Sequence, residues 1–438
     1  MPAPNELTAT AMAAAIAKGE LSAEALMQAH LQRIAERDED VRAWAYIDPD
    51  HAMQQAVAAD QLAASSASLG PLHGLPVGIK DIIDTNDMPT QHGSALFEGR
   101  RPENDAACVA ALRAAGAIII GKTVTTELAN TNPSITRNPH NLAHTPGGSS
   151  AGSGAGVADF QIPLALGTQT GGSVIRPGSF NGVYALKPSL GLIPRAGVLL
   201  QSHTLDTVGV YARSLEDLAF ITDSLSMPES RDALSYRGSR ENLQAAFKQP
   251  AAQVPRLALL HTPAWDECHE AAKLALTAAA AKLDANTVQL PSPYDRIIDL
   301  HGAIFSGENA HYYGQHLRER PHLMSDKLRA RMEAASDRSA GDYVEAICLR
   351  DVIYADLEAL LSRFDAVLCL SSLGPAPEGF ETTGSAAMNS PWTYLGVPCV
   401  SLPKLEVDGL PVGLQLVGLR GAEAKLMRTA AWVDKALP

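Results

Sequence analysis

The sequence predicts an α/β fold, and three observations carry that prediction. Short apolar runs bounded by glycine, such as Leu75–Ile79 and Ala117–Ile120, suit buried strands. Helix-favouring stretches alternate with them, as in a layered α/β architecture. Over 438 residues, 46% hydrophobic against 19% charged gives ample core material and excludes disorder as the main state. That length accommodates one large domain or two ordinary ones.

Residues 8–64 read as helical, because Ala, Leu, Glu and Gln dominate and apolar residues recur at spacings of three and four in Leu26–Ile34. Ser22 is placed to cap a helix after the break at Gly19. From Pro71 the character changes to strand-like runs, with a helix over Asp105–Ala115 between the first two. Residues 145–200 are dense in Gly and Ser. Residues 227–256 are polar and carry several Pro and Gly, which suits an exposed connection. Residues 268–284 and 320–363 read as helices. Ala366–Leu370, Cys399–Leu402 and Val412–Val417 return to strand-like runs. These late strands are expected to complete the early sheet, giving one domain with a helical insertion.

Composition narrows the function classes. Lys plus Arg number 35 and Asp plus Glu 48, so the formal charge is 35 − 48 = −13. An acidic chain lacks the electrostatic footprint for wrapping nucleic acid or an anionic membrane. No run of about 18 apolar residues suggests a membrane span, and no basic n-region suggests a secretory signal. Five scattered cysteines (Cys108, Cys268, Cys348, Cys369, Cys399) form no C-x-x-C pair. Neither a disulfide framework nor a zinc ribbon is expected, and a reducing, cytoplasmic setting is the default.

Three motifs mislead. Gly116–Thr123 matches the P-loop pattern by letter, yet its middle residues are Ala and three Ile, which want a buried strand rather than a phosphate-cradling loop. His140 and His144 have the spacing of a metalloprotease pair, but the general-base Glu is missing and Pro139 and Pro146 hem the segment in. Gly152, Gly154 and Gly156 invite a dinucleotide reading, which fails at its last glycine. No metal site is expected.

The chemistry concentrates in two glycine–serine segments, Gly147–Ser153 and Gly167–Ser173. Glycine lets backbone approach a ligand closely. A serine after consecutive glycines can present its hydroxyl beside converging N–H groups, which builds a nucleophile and an oxyanion hole from one loop. Flexible linkers are the alternative, but these segments bracket the apolar run Ile162–Leu166 and precede the apolar stretch Phe180–Leu192. A serine nucleophile needs a base. Lys80 ends the run Leu75–Ile79, and a desolvated lysine gives up its proton readily. A surface lysine paired with Asp81 is the competing reading.

Together, Gly147–Ser153, Gly167–Ser173, Val174–Pro177 and Gly182–Pro188 resemble the signature of the amidase signature family, with the two serines 173 − 149 = 24 residues apart. Lys18–Ser22, Gly74–Asp81, Gly116–Glu127, Leu205–Asp217 and Leu410–Gly418 resemble further segments of that family; residues 227–360 match weakly. The resemblance implies a large mixed, mainly parallel twisted sheet with helices on both faces. It implies a single domain over 1–438: an N-terminal helical hairpin (1–70), a catalytic core (71–226), a helical cap (227–360), and returning strands with a helix (361–438).

It also implies a mechanism. Ser173 is the nucleophile, and Ser149, on a cis peptide after Gly148, bridges Ser173 to Lys80. The N–H groups of Thr170, Gly171, Gly172 and Ser173 hold the oxyanion, and Ser150 orients Lys80. No cofactor is required. The partners implied are water and a small-molecule amide or carbamate; a homodimer is left open. Gln169 stands where many members have Asp, Ala151 replaces a frequent Gly, and Asn181 a frequent Cys. Arg176 lies three residues after Ser173 rather than two. The Gln169–Arg176 pattern resembles a branch that includes malonamidase and related small amidases and urethanases; in malonamidase the arginine binds a substrate carboxylate. Both residues therefore carry a substrate-binding or a structural role. The net charge favours neutral amides, anilides or carbamates, with Arg176 anchored to a buried carboxylate. Two alternatives stand beside hydrolysis: an amidotransferase A-subunit delivering ammonia to a partner, and a non-catalytic binding protein. Trp392, Tyr394, Phe305 and Met388 are pocket-wall candidates whose expected fate is core packing.

Overall fold

The protein is described by a computed structural model covering residues 3–65, 68–249, 251, 253–335 and 337–437. Eleven strands join one sheet: β1 (Trp44–Ile47), β2 (Pro76–Lys80), β3 (Ile118–Thr123), β4 (Leu164–Gln169), β5 (Tyr184–Lys187), β6 (Thr207–Ala212), β7 (Leu257–Leu260), β8 (Asn286–Val288), β9 (Ala366–Leu370), β10 (Cys399–Val407) and β11 (Leu410–Val417). Their spatial order is β1-β3-β2-β4-β6-β5-β10-β11-β9-β7-β8. The returning strands thus complete the early sheet. Every residue of β2, β3, β4, β6, β7 and β9 is buried. Side chains alternate across a strand, so complete burial means that both faces are covered.

The sheet is mixed, as expected, but not mainly parallel. Six of its ten pairings are antiparallel and four parallel. Apolar runs reveal burial and not direction, which the connections decide. Between Val407 and Leu410, for example, Asp408 and Gly409 both take positive φ (53° and 76°), the two-residue turn that closes an antiparallel hairpin.

Three helices open the chain, α1 (Ala9–Ala17), α2 (Ala23–Val41) and α3 (Pro49–Ala64). Thr8, Ser22 and Asp48 cap them through their side chains. The expected helical stretch is broken by β1, four residues too few to show a period of their own. Then follow α4 (Ala107–Ala114), α5 (Ala151–Ala158), α6 (Ile175–Phe180), α7 (Leu215–Leu225), α8 (Leu243–Lys248), α9 (Glu270–Lys282), α10 (Ile297–Glu319), α11 (Asp326–Ala335), α12 (Ala340–Leu361), α13 (Ser390–Tyr394) and α14 (Glu423–Ala436).

Residues 227–360 are not a purely helical cap, because β7 and β8 add two strands to the sheet beyond β9. Nor is 227–256 only an exposed connection: Leu243 and Ala246 of α8 are buried, and Asp232 holds Arg195 at 2.7 Å. Helix α10 lies ahead of the helical stretch read at 320–363, which is itself two helices; Gly302, Gly307 and Gly314 obscure α10 in the sequence. Among the described residues no helix is long and apolar enough to cross a membrane.

Helix α5 packs against β2, β3, β4 and β6, and its glycines allow the approach. A Cβ on Gly152 would collide with the Ala43 carbonyl and stand 2.5 Å from the Val124 nitrogen. Both obstacles are backbone and cannot rotate away. Gly152→Ala is expected to destabilise the fold by at least about 1–3 kcal/mol, measured by denaturant unfolding; an unchanged midpoint would show that α5 is not wedged as described.

Candidate active site

Strand β2 runs between β3 and β4 and delivers Lys80 at its C-terminal end. The Lys80 side chain is fully buried, and its Nζ donates to Ser149 Oγ at 2.7 Å and Thr168 Oγ1 at 2.8 Å. Burial pushes the Lys80 pKa well below the ordinary lysine value, against a weaker opposing pull from Asp206. The surface-lysine reading fails, because Asp81 lies 3.9 Å from Lys122 instead. Asp206 has its own pKa raised to about 6 by burial, while Thr170 Oγ1 donates to it at 2.5 Å and the Gln201 N–H at 2.7 Å.

The Gly148–Ser149 peptide is cis, and Gly147 takes φ +81°. A Cβ on Gly148 would meet Thr383 Cγ2 at 2.8 Å, so only glycine fits. Ser149 is buried, whereas Ser173 is partly exposed to a cavity of about 280 Å³. Among the described residues no hydrogen bond joins the two hydroxyls directly. Ser150 links their loops: its Oγ donates to the Ser173 carbonyl at 2.6 Å and accepts from the Thr168 N–H at 3.2 Å. Ser150 makes no hydrogen bond to Lys80, unlike the role the resemblance implies; Thr168 does, near the end of β4, where its hydroxyl accepts from Lys80 Nζ.

The loop between β4 and α6 is held by its carbonyls. His301 Nε2 donates to the Thr170 carbonyl at 2.8 Å, and Thr393 Oγ1 to that of Gly171 at 2.8 Å. The Arg176 N–H donates to the Gly172 carbonyl at 2.9 Å, and Tyr211 OH to that of Ser173 at 3.1 Å. Four successive carbonyls are thus tied down. Among the described residues nothing accepts from the N–H groups of Thr170, Gly171, Gly172 or Ser173. Backbone donors rarely stay unpaired without a ligand to serve. Burial lowers the His301 pKa to about 4, so the ring is neutral near pH 7.

Gln169 is buried, and its hydrogen bonds go to the loop that follows and to α13. Its Oε1 accepts from the N–H groups of Val174 and Ile175 at 2.9 and 3.0 Å, and its amide donates to Thr393 Oγ1 at 3.0 Å. A carboxylate could not make that last donation. Arg176 finds no carboxylate among the described residues, which corrects the expected anchor. One of its terminal nitrogens donates to the Gly148 carbonyl at 2.6 Å and to Thr383 Oγ1 at 3.2 Å. Burial lowers its pKa to about 10, and it stays charged near pH 7.

The cavity is lined by Ser173 and the donor loop, by Arg176 and His301, and by Phe305 and Arg331. Phe305 thus reaches the site, while Trp392, Tyr394 and Met388 are fully buried. The misleading motifs play no part here. Gly116–Thr123 supplies β3, with Lys122 Nζ donating to the Ile83 carbonyl at 2.6 Å. His140 and His144 each bond a different carbonyl, those of Asn181 and Ala376. Sequence reading missed Thr168, Asp206, Tyr211, His301, Arg331 and Thr393. Thr168, Asp206 and Tyr211 sat inside segments that had already drawn attention, Gly167–Ser173 and Leu205–Asp217.

A mixed-sheet α/β scaffold with a buried lysine–serine pair and an open row of backbone donors defines a class of proteins suited to acyl chemistry. The chain belongs to the amidase signature family: the family model described as Amidase matches residues 25–427. It is 32% identical to the glutamyl-tRNA(Gln) amidotransferase A-subunit of Acidothermus cellulolyticus, over 98% of this chain and 94% of that one. The corresponding protein from Clostridium botulinum is 32% identical over 92% and 91%. Among solved structures, a chain reported with a vestigial protein complex bearing on the origins of an s-triazine catabolic enzyme superposes with TM-score 0.92 at 27% identity, covering 98% of each chain. Peptide amidase from Stenotrophomonas maltophilia superposes with TM-score 0.85 at 28% identity, covering 99% of this chain and 98% of that one.

Proposed function

We propose that the protein cleaves the C–N bond of a small amide, or of a related anilide or carbamate, through an acyl-enzyme on Ser173. The observation that supports this most is the fully buried Lys80, 2.7 Å from Ser149 Oγ and depressed in pKa. A non-catalytic binding scaffold has no use for a desolvated lysine aimed at a serine. Neutral Lys80 takes a proton from Ser149, which takes one from Ser173 as Ser173 Oγ attacks the carbonyl carbon. Such relays are often loose before substrate binds, which accommodates the missing direct bond between the two hydroxyls. The N–H groups of residues 170–173 receive the oxyanion. Lys80 returns its proton through Ser149 to the leaving nitrogen, the C–N bond breaks, and the amine or ammonia departs. Water then attacks the acyl carbon by the same relay, releasing the acid and regenerating Ser173. The Gln169–Arg176 pattern supports placement near the small amidases of the malonamidase type.

A second reading has support of its own. The relatives at 32% identity are amidotransferase components, and a chain of that kind would pass ammonia to a partner protein. The two readings share the chemistry and differ in what receives the nitrogen. The purified chain alone is expected to release amine or ammonia from small amides, anilides or carbamates. Turnover of glutamine alone, and only with a co-purifying partner, would favour the amidotransferase instead.

A further inference from the structure

We infer that the outward face of α12 is a homodimer interface, with a twofold axis passing beside Cys348. The inference is independent of the amide-cleaving reading. The outward face of a helix is usually polar. Here two branched apolar side chains stand in solvent, Val344 57% and Val352 51% exposed. The face reads the same in both directions about the exposed Cys348. Val344 and Val352 lie four residues on either side, Glu345 and Asp351 three, and Gly341 and Ala355 seven, and all are exposed. In a twofold interface, if one position touches a second, the second touches the first. Antiparallel pairing therefore lays Val344 on Val352 of the second copy, and Val352 on its Val344, with Cys348 beside its own mate. A palindromic face is what self-pairing requires, and an unrelated partner makes no such demand. The seven-residue spacing of Gly341, Cys348 and Ala355 keeps one seam facing the partner at a shallow crossing angle.

Charge complementarity favours the same pairing. Arg296 holds Glu345 at 2.9 Å and Arg420 holds Asp351 at 3.2 Å, and all four side chains reach solvent. The twofold sets the first ion pair of each copy against the second ion pair of the other. Each arginine gains a second carboxylate, and each end of the seam stays neutral. Further out, Arg338 and Glu358 stand ten residues on either side of Cys348, both exposed and opposite in sign, so the pairing brings each toward the other. This balance matters in a chain of net charge −13, whose copies repel at long range. The inner face of α12 is anchored: Tyr343 OH donates to Glu308 at 3.0 Å, and the Ala346 carbonyl accepts from Tyr394 OH at 2.5 Å. The helix thus meets a second copy as a rigid element. Between Gly341 and Ala355 the seam runs about 21 Å, short of a standard interface, so a reversible dimer with Kd of about 1–100 µM is expected.

Sedimentation velocity of the purified chain, well below and well above that Kd, tests this. The wild-type protein is expected to pass from one chain to two as concentration rises. Val344→Glu with Val352→Glu sets carboxylates face to face twice along the seam and should weaken the dimer about 100-fold or more. Val344→Glu with Val352→Lys sets opposite charges face to face in the antiparallel register and should recover about tenfold or more of that loss. A parallel register would keep like charges together and show no recovery. Both positions are exposed in the single chain, so the unfolding midpoint of dilute protein should stay near wild type and separate lost pairing from lost folding. A short bismaleimide should join two wild-type copies through Cys348, since the other four cysteines are buried, and Cys348→Ser should abolish the product. A chain that stays monomeric throughout, a dimer indifferent to both double variants, or a dimer that is not joined through Cys348 overturns the inference. A different protein seated on this face of a monomeric chain overturns it equally.

Discussion

Ser173→Ala is expected to lower turnover by a factor on the order of 10⁴ or more, because no other group stands ready to attack. The fold should be unaffected. Ser173 Oγ has no hydrogen-bond partner among the described residues, and the loop is held by its carbonyls, which the substitution leaves in place. The unfolding midpoint should stay within about 0.5 kcal/mol of wild type, as for substitutions away from buried networks. Mass spectrometry after phosphonate treatment should place the adduct on Ser173. Activity surviving in the variant, with the adduct on another serine, would end the assignment.

Lys80→Met is expected to lower amide turnover by about 10²–10⁴ and ester turnover by less. An amine leaves poorly unless protonated, and the relay through Ser149 supplies that proton, whereas an alkoxide needs less help. Equal losses on a matched ester and amide would reduce Lys80 to a structural role. In wild type, activity should fall as pH drops through the depressed lysine pKa, because the protonated base cannot accept. Stability carries the same signature. Between that depressed value and about 10.5 the unfolded chain binds more protons than the folded one, so wild-type stability rises with pH across that window. Lys80→Met should lose the Lys80 share of this slope and keep that of Lys122 and Lys187, which burial also lowers, and denaturant titrations of both proteins at two pH values within the window would reveal the difference.

Elements of the candidate site were legible in the sequence to the extent that chemistry compels a residue type. Glycines beside serines announce close backbone approach, and Gly148 and Gly152 indeed have backbone or methyl groups where a Cβ would stand. A lysine ending an apolar run announces desolvation, and Lys80 is fully buried. What stayed hidden depends on contacts made across the chain. His301 and Thr393 clamp the donor loop from 131 and 222 residues away in sequence, a pairing that no local pattern announces. Arg331 sits on a helix whose sequence looks like any polar surface helix; the ring of Phe305 and the rim of the cavity give it meaning. The sheet suffered similarly. Burial was visible in each strand, but its direction was not, and β1 and β8 were too short to announce themselves.

The spatial order of the strands also governs when, during synthesis, the site can exist. A ribosome that has released residues 1–226 has delivered Lys80, Ser149 and Ser173, along with β1 through β6. Yet β5 still lacks its neighbour β10, and the donor loop lacks His301 and Thr393. On the proposed reading, these three side chains wait in an unfinished frame until residues 297–407 arrive. A nascent polypeptide is itself made of amide bonds, and a serine armed early would face them at high local concentration. With two clamps encoded late in the message, the proposed reactivity would wait for the residues that hold the donor loop.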